Sequence, residues 1–213
     1  MKTIATTLCL ALVALAGAAP SMQRADDEGW ISLFDGKTLD GWKVGENTDT
    51  FTVADGAIVV HGPRAHLFYV GPVEQHDFKN FELKADVMTT PGSNSGMYFH
   101  TAYQDKGWPK AGFEIQVNNS HKDPKRTGSL YNIQDNYEPP AKDDEWFTQH
   151  IIVRDNQVLV KVNGKEVTNY TESESNGASD ESGRKLSRGT FALQGHDPDS
   201  KVFYKDIMVK PLP

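Results

Sequence analysis

The chain has 213 residues, 38% of them hydrophobic, and a formal net charge of −7. That is the length of one domain with a core large enough to stand without disulfides. The mild acidity gives no basic footprint for nucleic acid or an anionic membrane surface, and a mean hydropathy of −0.54 describes a polar globular chain.

The N-terminus reads as a leader. Lys2 is the charged start, Thr3 to Leu15 the apolar run, and Ala16-Gly17-Ala18 the small-residue cleavage signal. The run is too short to span a bilayer comfortably. The expectation is a cleavable signal peptide over residues 1–19, a flexible stretch over 20–28, one domain over 29–213, and a secreted or periplasmic product with no membrane contact after cleavage. The single cysteine, Cys9, lies in the leader. The mature chain then has no thiol for catalysis, iron–sulfur clusters or Cys-ligated zinc.

Residues 29–42 carry two Trp and two Asp-Gly pairs, which predicts tight turns with the aromatics packed on a sheet. Phe51–Val53 and Ala57–Val60 flank Asp55-Gly56 as a hairpin. Leu67–Val70 is a short strand, and Phe81–Val87 alternates with Phe81, Leu83, Ala85 and Val87 inward. Asn94–His100 and Gly112–Asn118 are strands with one apolar and one polar face. Met97, Phe99, Phe113, Ile115 and Val117 fall on the first face, and Asn94, Tyr98, His100, Glu114, Gln116 and Asn118 on the second. A loop over His121–Arg126 and a short strand over Leu130–Ile133 follow. Thr148–Arg154, Gln157–Val162 and Glu166–Thr168 are linked by Asp155-Asn156 and Asn163-Gly164 turns. Thr171–Arg188 is poor in apolar residues and predicts a long mobile loop or a partly disordered one. Thr190–Gln194 and Val202–Val209 close the chain. With no helical period over several turns, the pattern predicts an all-β sandwich of two antiparallel sheets.

The polar face gathers an acid, an imidazole, a phenol and amides, the groups that bind a polyhydroxylated ligand. Glu114 is its one carboxylate. A retaining glycosidase needs a pair about 5 Å apart, so ordinary double displacement is disfavoured unless a second acid arrives from elsewhere. His100 and His196, each at a strand end, are candidate bases beside Glu114. His61, His66, His76, His121 and His150 lack that context and read as structural or exposed. Trp108, Tyr131 and Trp146, with Tyr98, are candidate stacking platforms for sugar rings. No standard metal-binding spacing, nucleophile elbow or phosphate loop is present.

Several stretches taken in order resemble one family. Trp30–Trp42 resembles the opening signature of the 3-keto-disaccharide hydrolases. Asn94–Phe99, Gly112–Val117, Thr127–Tyr131, Val162–Lys165, Gly189–His196 and Phe203–Leu212 resemble its later motifs. The resemblance implies a concanavalin A-like jelly-roll and a substrate that is an oxidised mono- or disaccharide or glycoside. One departure is His100, where the family often has Arg, so substrate choice could differ. The implied chemistry suits a lone acid. A 3-keto group acidifies the C2 hydrogen, a base removes it, the C1 substituent leaves, and water adds back. Glu114, His100 or His196 would be the base, with Asn94, Tyr98, Gln116, Asn118 and Gln194 binding substrate. A divalent metal could stabilise the enolate oxygen instead. The competing readings are a non-catalytic, lectin-like carbohydrate-binding domain, an ordinary glycosidase and an adhesion domain, since one fold serves all of these. Oligomeric state is not legible.

Overall fold

The computed structural model describes residues 29–173 and 184–213. The leader expected over 1–19, the stretch over 20–28 and residues 174–183 of the expected loop lie outside the described residues.

Among the described residues, thirteen strands run in chain order: β1 Ile31–Ser32, β2 Trp42–Val44, β3 Phe51–Ala54, β4 Ala57–His61, β5 Ala65–Tyr69, β6 Phe81–Thr89, β7 Ser95–Thr101, β8 Phe113–Val117, β9 Phe147–Arg154, β10 Gln157–Val162, β11 Lys165–Thr171, β12 Thr190–Gly195 and β13 Lys201–Pro211. They form two antiparallel sheets. One has eight strands in the order β11-β10-β9-β6-β13-β4-β3 with β1 added on β13, and the other has five in the order β2-β5-β12-β7-β8. The expected hairpins form where the turn chemistry places them. Asp55-Gly56 and Asn163-Gly164 both take positive φ at both central residues, the type I′ geometry that matches strand twist. Leu130–Ile133 departs from expectation. It is a turn that touches β8 through a single Ile115–Leu130 bridge.

The two sheets differ in how they are buried. β6 and β9 of the larger sheet alternate buried and half-buried residues along their length. That is the pattern of a sheet with one face on the core and one toward water. In the smaller sheet every residue of β5, β7, β8 and β12 is buried. One of its faces supplies Leu67, Met97, Phe99, Ile115 and Leu193 to the core opposite Phe81, Leu83 and Val87. Aromatic pairs knit this core, with Phe78 stacked on Phe191 at 4.4 Å and Phe81 edge-on to Phe99 at 5.8 Å. The opposite face is covered by loops rather than by a third sheet, and it carries the polar residues. The opening segment behaves as its composition predicts: Trp42 is buried, donates its indole N–H to the Leu33 carbonyl at 2.7 Å, and meets Tyr69 edge-on.

Candidate active site

Strand register brings the polar residues into adjacent rows. Tyr98 on β7 lies opposite Glu114 on β8, and Gly96 lies opposite Gln116. Gln194 on β12 lies opposite His66 on β5. The Tyr98 hydroxyl donates to Glu114 Oε2 at 2.7 Å, and Gln194 Nε2 donates to Glu114 Oε1 at 2.8 Å. A Cβ at position 96 would stand 2.4 Å from Glu114 Oε1. Glycine there is what lets the carboxylate occupy this face.

Glu114 is 7% exposed. Burial pushes its pKa up from 4.5 to about 7, and the nearby Asp123 charge adds to the rise. The Tyr98 and Gln194 hydrogen bonds and the Arg184 guanidinium oppose it. Tyr98, buried against that carboxylate, is held well above the usual phenol range.

A cavity of about 200 Å³ opens above these groups. Glu114, Tyr98, Gln116 and Gln194 form its floor, with Asn94, Asp123, Tyr131, Arg184 and His196 around it and Trp108-Pro109 at the rim. The amide oxygens of Asn94, Gln116 and Gln194 are buried with no protein partner among the described residues. Unpaired buried acceptors are costly, and hydroxyl donors of a sugar would satisfy them. Tyr131 donates its hydroxyl to Asp123 Oδ2 at 2.9 Å, and burial with that contact pushes its pKa up to about 12.

Two loops complete the wall. After β12, His196 lies 2.6 Å from Asp197, Nδ1 to Oδ2. Asp197 is itself fixed by Ser200 and by the backbone N–H groups of Asp199 and Ser200. A neutral His196 donating through Nδ1 keeps its lone pair on Nε2. After β8, Asn118 pins the loop: its Nδ2 donates to the carbonyls of Asp123 and Lys125, and its Oδ1 accepts from His121 N and Arg126. This places the His121 ring 5.5 Å from that of His196.

His121, His196 and Asp197 present ligand atoms within 4.8 Å of one another, so they could hold a divalent cation. The hydrogen bonding favours a proton-bearing cluster. The Asp123 backbone N–H points at His121 Nδ1 at 3.1 Å, so the neutral ring carries its proton on Nε2, the nitrogen 3.9 Å from Asp197. A ligating Nε2 would need the opposite tautomer.

The sequence expectations divide accordingly. Glu114, His196, Asn94, Tyr98, Gln116, Gln194, Trp108 and Tyr131 line one cavity. His100 does not join them. Its backbone turns to φ 52, which breaks the strand alternation, and its ring binds the Lys79 carbonyl and accepts from Ser187 N while packing on Phe81 and Phe99. Asn118 is fully buried and faces its own loop rather than the cavity. Trp146 lies against Phe203 and Lys205 of β13, in the other sheet. Asp123 and Arg184 line the cavity, and His121 and Asp197 support it. None of the four was marked by strand alternation, since each sits on a loop, and Arg184 falls in the stretch expected to be only a mobile loop.

Residues 29–210 match the family described as the 3-keto-alpha-glucoside-1,2-lyase-like domain. A curated relative, a 3-keto-disaccharide hydrolase of Bacteroides thetaiotaomicron, is 29% identical over 174 residues, which are 68% of this chain and 59% of that protein. Among solved structures, a presumed glycosyl hydrolase from Parabacteroides distasonis superposes with a TM-score of 0.71 at 22% identity, covering 92% of this chain and 99% of that one. A carbohydrate-binding module from Bacillus subtilis superposes with a TM-score of 0.56 at 10% identity, covering 80% and 95%. The structural likenesses establish a shared sandwich.

Proposed function

The chain belongs to the 3-keto-alpha-glucoside-1,2-lyase-like domain family, and from that membership we propose that it cleaves 3-keto-glucosides, including 3-keto-disaccharides, by elimination and rehydration. The observation that carries the reading is the buried Glu114, poised near neutrality in a cavity of unpaired amide oxygens. A carboxylate with a pKa of about 7 is a stronger base than an exposed one and is still ionised in part at neutral pH. It takes the C2 proton, whose acidity the 3-keto group supplies. The Arg184 guanidinium faces the developing enolate oxygen. Protonated His196, backed by Asp197, gives its proton to the departing C1 oxygen, and the C1–O bond breaks as the C1=C2 bond forms. Neutral His196 then takes a proton from water as its oxygen bonds to C1, and Glu114 returns its proton to C2. Both groups finish as they began, and the balance is glycoside plus water to free 3-keto-sugar plus aglycone alcohol. The reading includes export, on the strength of the leader pattern in residues 1–19.

Asp123 supports a second reading. It puts another carboxylate in the cavity, which ordinary double displacement requires. Its oxygens are already engaged by Tyr131 and by Lys125 N, which suits a supporting role better. The test is product analysis with a 3-keto-α-glucoside and its unoxidised parent, each with and without chelator. The expected result is turnover of the keto substrate alone. Hydrolysis of the plain glycoside would favour the Asp123 reading. Loss of activity with chelator, restored by added metal, would move His121, His196 and Asp197 from proton transfer to metal binding.

A further inference from the structure

His66 is the largest unexplained cost on the polar face. It is 2% exposed, and neither ring nitrogen has a hydrogen-bond partner among the described residues. Burial pushes its pKa down to about 4, so the ring is neutral at physiological pH, with one donor and one acceptor. Leaving such groups unpaired is costly, and a phenyl ring of the same shape would avoid that cost. His66 stands across the strand pair from Gln194, whose amide holds Glu114. Its ring meets Tyr98 edge-on at 5.4 Å and Trp108 edge-on at 5.5 Å.

Trp108 is the roof. It is 45% exposed, lies 5.7 Å from the His196 ring, and sits under the Arg64 guanidinium at 5.4 Å. Its indole N–H makes no hydrogen bond among the described residues. Its loop is fixed at the backbone, where Gln104 binds the carbonyls of Lys106 and Trp108 and Glu46 accepts from Gly107 N. The indole is thus held by ring contacts and the Arg64 guanidinium, with no hydrogen bond fixing it among the described residues. The cavity of about 200 Å³ suits one pyranose ring, and a disaccharide needs more room. His196, which serves the departing oxygen in the proposed reaction, is the residue next to Trp108.

We propose that the cavity continues beneath Trp108 and that His66 is the floor of a second subsite, which binds the aglycone sugar of a 3-keto-disaccharide. The donor and acceptor of the imidazole pair with neighbouring hydroxyls while the indole stacks on the sugar ring. This rests on the 3-keto-glucoside reading of the cavity.

The test compares kcat/KM for an α-linked 3-keto-glucosyl-glucose with that for methyl 3-keto-α-glucoside in wild type, His66→Phe and His66→Gln. The expected result for His66→Phe is a fall of about tenfold in the disaccharide-to-methyl ratio, the loss of about one hydrogen bond's worth of binding. The fall lies mainly in KM, the melting temperature is unchanged or raised, and His66→Gln recovers part of the ratio. An unchanged ratio, or an equal loss on both substrates with a lowered melting temperature, overturns the proposal and makes His66 a packing residue. If wild type turns over neither keto substrate, the 3-keto-glucoside reading fails by itself. The subsite is then read by calorimetry with the unoxidised disaccharide and methyl α-glucoside. Tighter disaccharide binding that His66→Phe abolishes supports it, and no such difference overturns it.

Discussion

At the scale of single residues, the candidate site holds one acid where water cannot stabilise its charge. Folding raises the Glu114 pKa from 4.5 to about 7, so the folded state binds the proton more tightly than the unfolded chain does. The fold is therefore most stable below the unfolded value, loses stability as pH rises from about 4.5 to about 7, and stays lower above that. The cost of the ionised group is on the order of 3 kcal/mol from a shift of that size. Glu114→Gln should then melt higher than wild type at pH 8 and no higher at pH 4, by calorimetry. Its kcat/KM on a 3-keto-glucoside should fall about 100- to 10,000-fold, the usual worth of a general base. In the proposed reaction Asp197 acts through His196, to which it is bonded at 2.6 Å, as a positioning residue. Asp197→Asn should lower kcat by about tenfold with little change in KM. A purely structural Asp197 would lower the melting temperature in calorimetry and leave kcat in place.

At the scale of elements, strands supply the floor and loops supply the walls. Asn118 ends β8 and gathers the 119–126 loop through four hydrogen bonds. Asn118→Ala leaves those groups unpaired and should cost about 1–3 kcal/mol of stability in denaturant titration. It should also lower kcat, because His121 and Asp123 lose their anchor. This division explains what the sequence reveals. Glu114, Tyr98 and Gln116 could be grouped from sequence because a strand's period of two is local, whereas Gln194 entered only through the family resemblance. His100 obeys the same period until one left-handed residue breaks it. Trp146 reads as a good sugar platform, yet it lies just before β9 and packs on β13 of the opposite sheet. His121, Asp123, Arg184 and Asp197 arrive by tertiary folding of loops, and no spacing in the chain announces that. His66 read as structural or exposed, just before the strand expected from Leu67, and its unpaired nitrogens appear only once its neighbours are in place.

At the scale of the molecule, the two sheets have different tasks. The eight-stranded sheet alternates and shows water an ordinary polar face. The five-stranded sheet is buried on both sides, by the core on one and by loops on the other. The covered polar face is where a low dielectric can raise a carboxylate's pKa and strengthen hydrogen bonds to substrate. The shared sandwich says nothing of the chemistry, and the proposed reaction rests on Glu114, His196 and their surroundings. The central claim is that the C2–H bond breaks during cleavage, and it is met most directly by turnover of a 3-keto-α-glucoside deuterated at C2, with the label followed into product. The account predicts slower turnover than with the protiated substrate and loss of deuterium to solvent. An unchanged rate with the label fully retained at C2 would contradict it.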